Sequence, residues 1–131
     1  MLLLQRLLLT LFRQHQENLK MVLRLFLLVS QHQYILKNLF PKYKLEDKSI
    51  IANGNNIEFE IGFGYGEHLL WQALNNKNKM FIGADPFISG AINLIKEVNQ
   101  KQIKNIRIST DDAINIVDTM ADCYLSSIYI L

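Results

Sequence analysis

The stretch "NNIEFEIGFGYGEHLLWQAL", Asn55 to Leu74, decides the fold. Ile57–Ile61 alternates apolar and acidic residues as a strand does, and Glu67–Asn75 has the apolar spacing of a helix. Between them lie Gly62, Gly64 and Gly66, placed where a backbone turns with positive φ or lets a ligand approach closely. Glu60 precedes the turn and Glu67 follows it. A glycine-rich turn between a strand and a helix is a nucleotide-binding context. The dinucleotide spacing G-x-G-x-x-G is not met, because the third glycine comes one residue early. Glu67 also occupies the helix start that would otherwise receive a phosphate. The turn suits a nucleoside that carries positive charge and no phosphate. S-adenosylmethionine has both properties.

Outward from this turn, strands and helices alternate. Met80–Ala84 reads as a short buried strand and Ile88–Gln100 as a helix with Ile92, Ile95 and Val98 at helical spacing. Ile106–Ser109 reads as a strand, Asp112–Met120 as a helix and Leu125–Leu131 as a last strand. Short connections between alternating elements give right-handed βαβ units on a parallel sheet. The expected class is α/β, the N-terminal half of a Rossmann-like doubly wound sheet of about four strands. In such sheets the ligand lies beyond the carboxyl ends of the strands. Asp85 ends the second strand, nineteen residues after Gly66, where a carboxylate accepts ribose hydroxyls. Asp111 and Asp112 end the third, where an acid can accept from an adenine amino group; Asp112 can equally cap the next helix. Glu60 is placed to face the amino-acid portion of the ligand. His68 and Trp71 lie one turn apart, and the plain expectation is that His68 lines the turn while Trp71 packs the helix on the sheet.

The 131 residues bound the chain to one domain at most, able to bury about two-thirds of its unfolded surface. Half of them are apolar, and the net charge of +2 announces no nucleic-acid partner by itself. A single cysteine, Cys123, excludes a disulfide framework, and His15, His32 and His68 are too scattered for a metal site. Residues 1–40 hold fourteen leucines and one isoleucine, whereas residues 41–131 hold fifteen isoleucines and one arginine. This break divides the chain into a leucine-rich helical segment over 1–40, a linker over 41–54 and a ligand-binding part over 55–131. Arg6, Arg13, Lys20 and Arg24 interrupt the leucines, so no run reaches the roughly 18 residues of a membrane span. The segment reads as an amphipathic helix that seeks a partner or covers a core, with a membrane-surface helix as the other reading.

"FEIGFGYGEHLLWQA", "FIGADPFISGA" and "NIRISTDDA" together resemble the strand-end motifs of bacterial tRNA (guanine-N7-)-methyltransferases. The resemblance runs from about Ser30 to Leu131. It implies S-adenosylmethionine as cofactor, with Glu60, Gly62, Gly64, Asp85 and Asp112 around it. It also implies transfer of a methyl group to N7 of a guanosine in tRNA, in the cytoplasm. Asp85 stands where the family usually has Glu, which keeps the charge and shortens its reach. The family's arginine-rich arm is replaced here by leucines. Its Pro-Asp-Pro-Trp-Pro segment, which carries catalytic and guanosine-binding residues, is expected beyond Leu131, so no catalytic residue is assigned within these residues. A fragment ending there is expected to keep a cofactor half-site with little or no methyl transfer. The alternatives are a non-catalytic interaction module, in which the leucine-rich segment covers the exposed sheet edge or recruits a partner, and a dinucleotide oxidoreductase, which the glycine spacing disfavours. Self-association through that edge or the leucine-rich segment is a further expectation.

Overall fold

The computed structural model describes residues 1–46, 56–120 and 125–131. The expected linker falls partly, and Cys123 wholly, outside the described residues. The chain forms two compact units, Met1–Tyr34 and Ile35–Leu131. The first is a single helix, α1 (Leu2–Tyr34), none of whose residues is buried. Lys20 pairs with Glu17 along it at 2.7 Å. Among the described residues, no helix is long and apolar enough to cross a membrane.

The second unit begins before the expected boundary at residue 40. A wide π-type turn over Ile35–Leu39 leads into α2 (Phe40–Tyr43), and Ile35 and Leu39 are buried in the core. Part of the stretch read as a linker is therefore structural. Lys44 also bridges to Ile108, with Leu45 N–H donating to the Ile108 carbonyl at 3.0 Å, which covers part of a strand edge.

The sheet follows as β1 (Ile57–Ile61), β2 (Met80–Ala84), β3 (Ile106–Ser109) and β4 (Leu125–Ile130). All its pairings are parallel, in the order β3-β2-β1-β4. The crossovers carry α3 (Glu67–Asn75), α4 (Ile88–Gln100) and α5 (Ala113–Val117). The strand order reverses beside β1, so this is the expected Rossmann-like α/β sheet.

Alternation along the strands splits the core into two layers. Phe81, Ile106 and Ile108 pack with Leu69 of α3 and Leu94, Ile95 and Val98 of α4. Ile57, Phe59, Ile82 and Ala84 face the other way, onto Ile116 of α5. The helix expected over Asp112–Met120 is shorter. It ends at Val117, where Thr119 and Met120 N–H donate three residues back, to Ile116 and Val117. The Thr119 hydroxyl also donates to the Ile116 carbonyl at 2.7 Å. A segment rich in β-branched residues gives way to this tighter turn at little cost.

Candidate functional site

The site starts from the glycine turn. Gly62, Gly64 and Gly66 have φ of 76°, 57° and 83°, all in the left-handed region that the sequence pattern anticipates. Gly66 caps α3, and Glu67 lies in its first turn. A methyl group on Gly66 would sit 2.6 Å from Leu94 of α4.

Two fixtures hold the turn. Asp85 Oδ2 accepts the Gly64 N–H at 2.7 Å, while Oδ1 accepts the Phe87 N–H at 2.9 Å. Asp85 thus binds the end of β2 to the turn after β1. Each of its oxygens keeps a second lone-pair direction for another donor. The second fixture is Gly90, which the sequence reading missed. A methyl group there would lie 1.9 Å from the Gly64 carbonyl oxygen, so α4 can approach the turn only without a side chain at this point. The available signal was a glycine inside a helical pattern, which calls for a packing reason.

Glu60 is 1% exposed on β1. Its Oε2 lies 2.6 Å from His68 Nδ1, with the shared proton on either partner. Its Oε1 is buried with no hydrogen-bond partner. Burial pushes the Glu60 carboxyl above its ordinary value, and the His68 contact pulls in the opposite direction. The His68 ring meets the Tyr129 ring of β4 edge-on, with centroids 5.3 Å apart. A second buried acid, Glu58, accepts from the Tyr129 hydroxyl at 2.9 Å and pairs with Lys79. These five side chains link β1, α3 and β4, a connection that sequence spacing alone does not disclose.

Asp112 caps α5, its Oδ1 accepting from the Ile114 N–H at 2.9 Å. Asp111 N–H donates to Ser109 Oγ at 3.1 Å. Both aspartates follow β3, as Asp85 follows β2 and Glu60 approaches the end of β1. The expected acids therefore share one end of three adjacent strands. Trp71 departs from expectation. Leu69 and Ala73 take the inward face of α3, and Trp71, turned away from both, is 60% exposed rather than packed on the sheet.

This chemistry fits a cationic nucleoside. Acids stand at the ends of three strands, open space faces Gly64, and one buried carboxylate oxygen lacks a donor. Among the described residues there is no group of His, Cys, Asp and Glu that could hold a metal ion.

Fold and turn together define a Rossmann-like α/β domain with a glycine-rich turn after its first strand. A family model described as "Putative methyltransferase" matches residues 54–131. The tRNA (guanine-N(7)-)-methyltransferase of Zymomonas mobilis is 34% identical over 103 residues, covering 74% of this chain and 45% of that protein. The enzyme of the same name from Erythrobacter litoralis is 33% identical, covering 78% of this chain and 46% of that protein. A bifunctional methyltransferase of Rickettsia felis is 33% identical over 76% of this chain and 19% of its own length. A solved structure titled "Structure of an Antibiotic Related Methyltransferase" superposes with a TM-score of 0.54 at 22% identity, over 63% of this chain and 43% of that one, a likeness of fold. The chain belongs to the tRNA (guanine-N7-)-methyltransferase family. It spans about 45% of the length of the tRNA methyltransferases it matches.

Proposed function

We propose that this chain carries the donor-binding part of a cytoplasmic enzyme that transfers a methyl group from S-adenosylmethionine to N7 of a guanosine in tRNA. The observation that carries the reading is Glu60, a buried carboxylate with one oxygen held by His68 and the other without a donor, beside an acid-flanked glycine turn. A buried carboxylate is costly unless a cation or donor meets it. The ammonium of a methyl donor's amino-acid portion supplies such a partner. S-adenosylmethionine, when bound, supplies the electrophilic methyl group.

The chain's own residues bind and orient. Asp85 fixes the turn through Gly64 and has lone pairs left for ribose hydroxyls. Asp112 serves as a helix cap and keeps acceptor capacity for an adenine edge. Gly62 turns the chain with positive φ, and Gly64 leaves open space where a side chain would stand. Guanine N7 carries a lone pair and no proton at neutral pH, so alignment and electrostatic control take precedence over a strong base. No residue described here is assigned to the acceptor guanosine.

Titration calorimetry with S-adenosylmethionine and with S-adenosylhomocysteine tests the reading. Heat of association is expected for both. Glu60→Gln should weaken binding about tenfold or more, as expected for losing a charge-assisted hydrogen bond in a buried site. No heat with either ligand, from protein shown to be folded by circular dichroism, would refute it.

A further inference from the structure

The other end of the sheet, where the strands begin, carries a feature that the methyl-donor site does not use. A cavity of about 520 Å³ opens there, lined by Lys42 and Tyr43, Asn99 and Gln102, and Lys104 and Arg107 around the buried Ile103. A second cavity of about 250 Å³ shares Gln102, Ile103 and Lys104 with the first and adds Lys77 and Lys101. Among the described residues, neither lining contains an acid. From Ile35 onward the chain holds ten Lys and Arg against eleven Asp and Glu, so this concentration does not follow from composition. The charges are largely sorted on β2 and β3: Asp85, Asp111 and Asp112 follow their carboxyl ends, whereas Lys79 precedes β2 and Lys104 and Arg107 stand at the start of β3.

The groove is held in shape. Arg107 Nη1 donates to the carbonyls of Ile106 and Lys104 at 2.7 and 3.0 Å, which sets the guanidinium against the cavity. Tyr43 donates through its hydroxyl to Asn99 Oδ1 at 3.2 Å, joining α2 to α4. The Asn105 amide donates to the carbonyls of Ala73, Asn76 and Lys79, fixing the end of α3 to the starts of β2 and β3. Of the nearby carboxylates, Glu46 pairs with Lys44 and Glu97 with Lys101. Among the described residues, Lys42 and Lys104 form no ion pair and are exposed. Two adjoining cavities with cations spaced along both suit a polymer charged on every unit better than one small anion. The first lining offers amides and a phenol between its cations, with Ile103 as its apolar residue, which suits a sugar–phosphate backbone. The second lining adds Ala73 and Leu74, so a protein partner anchored in an apolar pocket is the rival occupant that the test separates.

We infer that this groove binds the phosphodiester backbone of the RNA substrate, away from the methylation site, and so holds the RNA in register. The choice of RNA as occupant rests on the tRNA reading above; the groove's preference for a polyanion does not.

Fluorescence anisotropy of the full 131-residue chain with an unmodified tRNA transcript, titrated across salt, tests the inference. Each of Lys42→Gln and Lys104→Gln should weaken binding several-fold and lower the slope of log K against log salt by about one, the loss of one phosphate contact. Lys96→Gln, a cation outside both linings, should leave the slope unchanged. No tRNA binding at low salt, or groove variants with the parent slope, would overturn it. An acidic peptide that outcompetes tRNA and loses binding in the same variants would assign the groove to a protein partner and likewise overturn it. If the groove variants behave as expected while calorimetry finds no donor binding, the methyl-transfer reading fails and the groove stands.

Discussion

Glu60 concentrates the site's electrostatics in one side chain. Its burial favours the protonated acid in the folded protein, and His68 offsets part of that shift. The folded state therefore retains a proton that the unfolded chain has already released above the ordinary value of 4.5. With more protons bound in the folded state, stability falls as pH rises from that ordinary value through the raised one, and levels off above it. Glu60→Gln keeps the shape and cannot ionise. Thermal unfolding across pH should show the variant gaining on the parent through this window and holding a constant difference beyond it. A difference that does not change with pH would exclude a raised Glu60. A cationic ligand acts in the opposite sense: it favours the carboxylate, so its binding should release protons and tighten as pH rises through the Glu60 titration. That Glu60 needs a partner was legible in the sequence, because an unpaired carboxylate on a buried strand is costly. His68 as that partner was not, since a hydrogen bond between a strand and the helix after it depends on how closely the turn brings them.

At the scale of elements, β4 is secured to β1 by side chains as well as by its ladder. Glu58, 3% exposed, receives the Tyr129 hydroxyl at 2.9 Å and pairs with Lys79. That hydrogen bond, followed by burial, holds Tyr129 above the usual tyrosine range, so it remains a donor at neutral pH. Lys79 is likewise pushed up, chiefly by its hydrogen bond to Glu58, and stays charged. Tyr129→Phe removes one donor from a buried carboxylate, which costs about 1–3 kcal/mol. Urea unfolding should show that loss in the parent and a smaller one when Glu58 is already Gln, since the two residues act as a pair. Equal losses in both backgrounds would mean that Tyr129 contributes through packing alone. Strands β1, β2 and β3 and helices α3 and α4 begin and end where their apolar spacing and turn residues indicate. The departures have tertiary causes. α2 occupies part of the expected linker because Ile35 and Leu39, just before it, find a core there. Gly90 reads as an ordinary helix residue until α4 meets the Gly64 carbonyl, twenty-six positions back in the chain.

At the scale of the whole molecule, the described residues of β4 and of α1 carry exposed apolar side chains. β4 pairs on one side with β1 and lies at the outer position of the four-stranded sheet. Its residues alternate between half-buried and exposed, with Ile128 51% and Ile130 77% exposed. α1 exposes its leucines throughout, with no residue buried. An outer strand with exposed isoleucines is a template for pairing with another chain. We propose that the 131-residue chain self-associates through this strand. Sedimentation velocity from roughly micromolar to near-millimolar protein should show the weight-average coefficient rising with concentration. Ile130→Lys places a charge on the outer strand without touching the buried layers, so it should move the distribution toward the monomer. Circular dichroism and cofactor calorimetry should stay at parent values. If the variant associates as strongly as the parent, the contact belongs to the leucine-rich helix, and charged substitutions at Leu7 and Leu11 should then disperse it. A parent that stays monomeric throughout would show that neither surface draws two copies together.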